Sequence, residues 1–147
     1  MAEIVEHELA ENVRSLPSFI QDTTDFLNKL STINQPLSNN CLMFCMDVKA
    51  LYPSVPRKEA HEAAEKALEK RSNKDIPTDE VLRIMDMVFE NNNFSFNWKH
   101  YVQTEGTAIG SHLGMNYASV YLGSWEKTLF ENSKTKPMSN FRFVDDL

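Results

Sequence analysis

Two strand-like apolar runs, far apart in the chain, each end in a carboxylate. The first is Cys41-Leu42-Met43-Phe44-Cys45-Met46-Asp47 and the second is Phe141-Arg142-Phe143-Val144-Asp145-Asp146. A strand's last residue is held more rigidly than a loop residue, so a carboxylate there is well placed to hold a hard cation through oxygen. A sheet joining the two runs would bring Asp47 and Asp145 together. Strands at 41–48 and 140–144, with helical sequence around and between them, predict an α+β fold: a small antiparallel sheet with helices packed on one face. Pro53 and Pro56 end the first strand.

The helical segments are set by their apolar spacing. Residues 2–14 place Ile4, Val5, Leu9 and Val13 on one stripe, and Pro17 breaks the pattern. Residues 22–31 form a second helix, with Asp22 as N-cap and Phe26, Leu27 and Leu30 directed at a core. Asn34-Gln35-Pro36 and Ser38-Asn39-Asn40 are turn sequence. From Arg57 to Arg71, Ala60, Ala63, Ala64, Ala67 and Leu68 share one face, small enough to allow close approach to a sheet, while Glu62 and Lys66 pair on another. After the loop Ser72-Asn73-Lys74-Asp75, Pro77-Thr78 opens a helix over 79–90. Asp79 and Glu80 favour its first turn, and Val81, Leu82, Ile84, Met85, Val88 and Phe89 are its apolar residues. Phe94-Ser95-Phe96-Asn97 alternates and Lys99-His100-Tyr101-Val102-Gln103 follows, which predicts a hairpin through Asn97-Trp98. A last helix is expected from Ser111 to Asn132, burying Met115, Ala118, Leu122, Trp125 and Leu129. No repeat or linker divides the chain, and its length suits one domain over 1–147.

Nothing in the chain approaches the roughly 20 apolar residues needed to cross a bilayer. The N-terminus is acidic and lacks the basic and then apolar regions of a signal peptide, so an intracellular setting is expected, nuclear or cytoplasmic. Cys41 and Cys45 would share one face of a strand, too far apart for an easy disulfide, and are expected as buried free thiols. The absence of a histidine pair near them argues against zinc.

A third run lies between the carboxylates: Gln103-Thr104-Glu105-Gly106-Thr107-Ala108-Ile109-Gly110-Ser111. Taken in order, the three runs resemble motifs A, B and C of reverse transcriptases, most closely those of the Penelope-like retroelement branch. Motif A there reads Asp-Val-x-x-Leu-Tyr/Phe-x-x-Ile/Val-Pro, as in Asp47 to Pro56. Motif B reads Gln-x-x-Gly-x-Ala-Met/Ile-Gly-Ser, as in Gln103 to Ser111. Motif C reads Tyr/Phe-Val-Asp-Asp, as in Phe143 to Asp146. The likeness covers about residues 19 to 147. It departs after motif B, where Met115 stands in place of a proline and Ser119 in place of an asparagine.

The resemblance implies a polymerase palm with two Mg²⁺ ions, or Mn²⁺, held by Asp47, the Val48 carbonyl and Asp145, with Asp146 a more peripheral member of the catalytic set. It implies that Tyr52 lies under the sugar of the incoming nucleotide and leaves no room for a 2′-hydroxyl. Gln103, Gly106 and Gly110 would support the template base and the nascent pair, and Lys49 is a candidate triphosphate contact. Each residue also has a plainer reading. The aspartates fit turn caps, Tyr52 a core residue at a strand-to-helix corner, the glycines a simple connection, and Lys49 a solvated lysine; Arg142 is equally ambiguous. The implied partners are an RNA template, a DNA primer and deoxynucleoside triphosphates, with no membrane.

By the same likeness, residues 1–40 form a helical lead-in from fingers and palm and 41–147 the palm. Most of the fingers, the thumb and any endonuclease region are expected to be missing, and the chain is expected to be inactive on its own. Its net charge of −6 opposes binding to nucleic acid, whose affinity depends on neutralising phosphates. Two other functions fit the same sequence: a non-catalytic retroelement remnant, and a helical protein-interaction module without a nucleic-acid role.

Overall fold

Four helices supply nearly all of the buried apolar surface. The computed structural model describes residues 1–33, 37 and 39–147. Its elements run α1 (Ala2–Ser15), α2 (Thr23–Ser31), the single turn α3 (Leu51–Ser54), α4 (Arg57–Lys70), α5 (Thr78–Glu90), β1 (Asn93–Phe96), β2 (Lys99–Val102) and α6 (His112–Asn132). The core lies between α1, α4, α5 and α6. Val5 and Leu9, Ala64 and Leu68, Val81 and Met85, and Leu113 and Tyr117 are fully buried there. Among the described residues, no helix is long and apolar enough to cross a membrane.

The alanine face of α4 forms as its spacing predicts, but what it admits is other helices. Ala60, Ala63, Ala64 and Ala67 are buried against α6 and α1 rather than against a sheet. Small side chains serve either partner, because both need the backbones to come close. On α5, Val81, Met85 and Phe89 take the buried positions, with Leu82, Ile84 and Val88 half-buried around them. Tyr117 packs its ring 4.9 Å from that of Phe89 and donates its hydroxyl to the Arg57 carbonyl at 2.9 Å. Burial, far ahead of the neighbouring charges, pushes that hydroxyl's pKa well above the usual tyrosine range.

Helix α6 spans the predicted range with a different inward face. Ala118 and Leu122 are buried as expected, whereas Met115, Trp125 and Leu129 are exposed. The buried set is instead Leu113, Gly114, Asn116, Tyr117, Ala118, Ser119, Val120, Leu122 and Glu126. Close approach decides this face. A Cβ on Gly123 would lie 2.5 Å from a Leu16 methyl, so the chain leaving α1 sits where α6 is thinnest. Asn116 is held there too, its amide donating to the Glu6 carbonyl at 2.9 Å. Helix α2 also differs from expectation: Asp22 caps it by accepting from the Asp25 amide, but Leu27 and Leu30 are exposed and only Phe26 finds a partner, Phe141, edge-on at 5.8 Å.

The larger correction concerns the sheet. The strands expected at 41–48 and 140–144 are reduced to isolated bridges, and the two-stranded sheet is β1–β2, with no helix packed on it. Residues 41–45 have no ladder partner among the described residues. Leu42, Met43 and Phe44 are exposed, and so are the free thiols of Cys41 and Cys45, which were expected inside. Apolar side chains on a strand are buried only when neighbouring strands and a packed layer give them a face, and here none is present. The fold is therefore α+β in the coarse sense, dominated by helix. The turn expected at Asn34-Gln35-Pro36 and Ser38 lies outside the described residues; Asn39-Asn40 is a turn.

One buried polar cluster fastens the C-terminal segment. Arg142 and Glu126 are 3% and 7% exposed at their side chains and meet at 2.8 Å. Ser18 donates to the other Glu126 oxygen at 2.5 Å, and Arg142 donates to the Ser119 carbonyl at 3.2 Å. Backbone bonds reinforce this, from the Arg142 amide to the Ser18 carbonyl at 2.6 Å and from the Ile20 amide to the Arg142 carbonyl at 3.0 Å. Arg142 is thus committed to the interior and is not a substrate contact. Glu126→Ala leaves a buried guanidinium without its counter-charge and should destabilise the fold by about 3–5 kcal/mol in urea melts. A loss below about 1 kcal/mol would mean the pair is not buried.

Candidate active site

The chain from Met46 to Val48 runs antiparallel to Asp145 to Leu147. Met46 and Leu147 exchange two backbone bonds of 2.8 Å, and the Val48 amide donates to the Asp145 carbonyl at 3.0 Å. Asp47 lies opposite Asp146 at the centre of this bridge. It is the pair without hydrogen bonds of its own, so the two side chains share a face with Cα atoms about 4.5 Å apart. Like charges placed directly opposite each other are unfavourable. Among the described residues no cation forms an ion pair with Asp47, Asp145 or Asp146; Lys49, exposed nearby, pairs with none of them. Exposure of Asp47 and Asp146 to water keeps the repulsion small.

Asp145 is carried by a tight turn. Phe143 and Asp146 exchange backbone bonds of 2.8 and 3.0 Å around Val144 and Asp145. Val144 has φ +57°, a conformation that suits glycine and strains a β-branched residue. Arg142 holds the turn by donating to the Val144 carbonyl at 3.1 Å. Strain of this kind persists where the surroundings over-determine it, and it gathers at functional sites.

Tyr52 stands beside this turn. Its hydroxyl pKa is raised, first by burial and then by the negative charge of Asp145, which places the phenol within electrostatic reach of that carboxylate. Ala50, at φ +53°, turns the chain from the Asp47 bridge into α3, which carries Tyr52. The Tyr52 carbonyl accepts from the Thr107 amide at 2.9 Å, tying the first run to the middle one. Gly106 makes this contact possible: at φ +64°, its Cβ would lie 2.5 Å from the Tyr52 carbonyl oxygen and 2.6 Å from the Pro53 Cα. Gly114 instead makes room for the Ala108 carbonyl oxygen, 2.9 Å from where its Cβ would be, and the Tyr52 ring lies in ordinary contact at 3.5 Å. Gly110 is needed for its φ of +81° alone, since nothing lies within 4 Å.

Gln103 is engaged within the protein. Its side chain donates to the Glu105 carbonyl at 2.8 Å and accepts from Asn92 at 3.2 Å. Arg57 then clamps the loop, donating to the carbonyls of Gly106 at 3.1 Å and Gln103 at 2.5 Å with its guanidinium 4.9 Å from the centre of the Phe89 ring. Arg57 and Glu126 both position the site, and neither lies in one of the three runs. Glu126 could have been found: it falls four residues after Leu122 on the buried face of an otherwise apolar helix.

The backbone therefore brings together the segments that carry Asp47, Val48, Tyr52, Gly106, Asp145 and Asp146, but the residue facing Asp47 is Asp146, and Asp145 lies opposite Val48 instead of in the pairing expected with Asp47; Lys49, Gln103 and Gly110 flank them. Among the described residues, no three His, Cys, Asp or Glu side chains converge closely enough to hold a metal by themselves. Mg²⁺ is ordinarily held by one or two carboxylates with substrate phosphates and water completing the shell, and the hard oxygen donors here fit that arrangement. The site is open. A cleft of about 540 Å³ along α1 and α6 touches the turn through Phe143 and Val144 but contains none of the three carboxylates.

Two measurements check this geometry. Gly106→Ala should destabilise by about 2–3 kcal/mol and shift the Tyr52 resonances, whereas Gly110→Ala should lose only about 1 kcal/mol of conformational strain; equal effects would remove the close approach at Tyr52. In the folded chain Tyr52 favours its neutral form, so the stability this contributes is full below the ordinary tyrosine range and falls as pH rises through the folded-state value. Asp145→Asn should move the Tyr52 titration, followed by NMR, downward but not fully to its ordinary value, because burial is the larger cause. An unmoved titration would separate the two residues.

No protein-family model matches the chain, and no curated protein and no solved structure matches it.

Proposed function

We propose that this chain is a palm segment of an RNA-directed DNA polymerase of the Penelope-like reverse transcriptase type. The observation that supports it most is the antiparallel bridge pairing Asp47 with Asp146, next to the strained turn that carries Asp145. Two facing carboxylates without a cationic partner among the described residues suit a hard cation whose shell is completed by phosphate oxygens and water. In the reaction, a primer 3′-hydroxyl oxygen bonds to the α-phosphorus of a deoxynucleoside triphosphate as the bond to pyrophosphate breaks. Asp47, Asp145 and the Val48 carbonyl would hold Mg²⁺, which would supply neutralising charge for the attacking and leaving oxygens.

The protein's own share is positioning. The backbone bridge at 46–48 and 145–147 fixes the carboxylates relative to one another. Asp146, directly opposite Asp47, holds the negative field on that face. Tyr52, whose backbone carbonyl is anchored by the Thr107 amide and whose ring lies in contact with Gly114, is the floor on which a deoxyribose rests and a 2′-hydroxyl collides. Gly106, free of a side chain, lets the middle run approach that floor. Because the carboxylates lie on an open surface, a long polymer can cross the site.

The test is a Mn²⁺ titration of the chain followed by nucleotide binding. Asp47→Asn and Asp145→Asn should each weaken Mn²⁺ binding roughly tenfold or more, with Asp79→Asn on the exposed face of α5 as an unaffected control. With Mn²⁺ present, a deoxynucleoside triphosphate should bind more tightly than the ribonucleotide, and Tyr52→Val should erase the difference. Unchanged Mn²⁺ affinity in both aspartate variants is what the non-catalytic and interaction-module readings predict, and it would sink this one.

A further inference from the structure

The β1–β2 hairpin breaks a local rule in a way its packing does not explain. Its turn residues, Asn97 and Trp98, have φ of +49° and +62°. Positive φ at both central positions is the type I′ hairpin turn, which favours Asn followed by Gly. Asn tolerates this conformation; a bulky aromatic residue does not. Burial does not offset the strain, because Trp98 is 98% exposed. A local misfit without a structural gain is the mark of a residue kept for contact with something else.

The rest of the hairpin has the same character. The register pairs Phe94 with Tyr101 and Phe96 with Lys99, so these four share one face. Phe94 and Tyr101 stack on each other at 5.4 Å, while Phe96, 71% exposed, presents its ring to solvent. All eight strand residues are exposed, and each strand packs mainly on the other. From Asn91 to Thr104 there is no acidic residue, in a chain of net charge −6, and Lys99 and His100 are both basic. The outer half of the hairpin offers the rings of Phe96 and Trp98 and the Lys99 ammonium, with the nearest acidic residues in sequence, Glu90 and Glu105, at its base. Duplex bases already stack on each other; single-stranded bases are available to such rings.

We propose that this hairpin is a stacking platform for single-stranded nucleic acid, with Phe96 and Trp98 as the base-stacking rings and Lys99 as a phosphate contact. The arm is continuous with the carboxylate site. Past Val102 the Gln103 amide extends the ladder to the Asn92 carbonyl at 2.9 Å, and Arg57 grips the Gln103 carbonyl. Trp98 is five residues from Gln103, about 17 Å along the strand. The proposal rests on the polymerase reading only for naming the bound strand as template, since binding needs neither metal nor nucleotide.

The experiment follows fluorescence anisotropy of labelled oligo(dT) and oligo(U) of about twelve nucleotides, within the usual site sizes, and of a duplex of equal length, in EDTA at low salt. Single strands should bind more tightly than the duplex. Preference between the two separates a DNA from an RNA ligand. Phe96→Ala and Trp98→Gly should each weaken binding roughly five- to hundredfold, and Trp98→Gly should raise thermal stability, because glycine relieves the positive φ. That opposite movement is one a merely structural tryptophan would not produce. Asp79→Asn on the exposed face of α5 should leave binding unchanged, and because binding is read in EDTA, loss of the metal site and loss of the platform are read apart. Wild-type affinity in Phe96→Ala and Trp98→Gly would overturn the proposal. So would a chain that ignores single strands and instead self-associates in a manner abolished by Trp98→Gly, which would make the hairpin an interface between copies.

Discussion

The buried pair of Arg142 and Glu126 fixes where the carboxylate turn sits. Taking two charges out of water is expensive, and their attraction offsets that only when the remaining hydrogen bonds are also made. Here they are: Ser18 occupies the second Glu126 oxygen, and Arg142 reaches the carbonyls of Ser119 and Val144. Such a cluster adds little net stability over an apolar one, but it accepts one geometry. It joins α6, the chain after α1 and the C-terminal segment at a single point. From there the backbone leads directly into the turn that carries Asp145, and through the bridge to Asp47. Register at the carboxylates is thus set by side chains lying behind them.

Strain is distributed along the same path. Among the described residues, the non-glycine positions with positive φ are Ala50, Asn97, Trp98 and Val144. Ala50 lies between Asp47 and Tyr52, Val144 next to Asp145, and the other two at the tip of the arm that grows from the Gln103 loop. In each place except Asn97 the backbone would be easier with glycine. Glycine would also be looser, because it gives the unfolded chain and the local backbone more freedom. Side chains in a strained but over-determined conformation hold a carboxylate or a ring in one direction. Where a second backbone must instead approach closely, as at Gly106 beneath Tyr52, the chain does use glycine.

Local patterns carried much of this fold in the sequence. Periodicity located α1, α4, α5 and α6, the Asp22 cap fixed the start of α2, and Asn97-Trp98 between alternating residues marked the hairpin. What depended on distant partners was not legible. The inward face of α6 is chosen by Leu16 packing on Gly123, so Met115, Trp125 and Leu129 face out. Residues 41–45 have strand-like composition but no neighbouring strand among the described residues, and Cys41 and Cys45 are exposed. At the site, the identities of Asp47, Tyr52, Gly106 and Asp145 were readable because each lies in a short run. That Asp146, rather than Asp145, stands opposite Asp47 is a matter of register, and the turn decides it. Arg57 acts from α4 on a loop far along the chain, and no local pattern marks such a role.

Charge separates the two regions in a way that bears on how a polyanion would meet this surface. At the bridge Asp47 and Asp146 are exposed and Asp145 half-buried, and among the described residues no lysine or arginine pairs with them. A phosphate backbone is repelled there until divalent ions intervene, so nucleic acid and metal would bind with mutual support, each raising the other's affinity by the same factor. On the hairpin, acid-free from Asn91 to Thr104, a strand meets rings and one lysine, and needs no ion. A single strand would therefore settle first on the arm and reach the carboxylates only when the metal is present. The net charge of −6, unfavourable for a surface that binds nucleic acid everywhere, is compatible with one that binds it in that order.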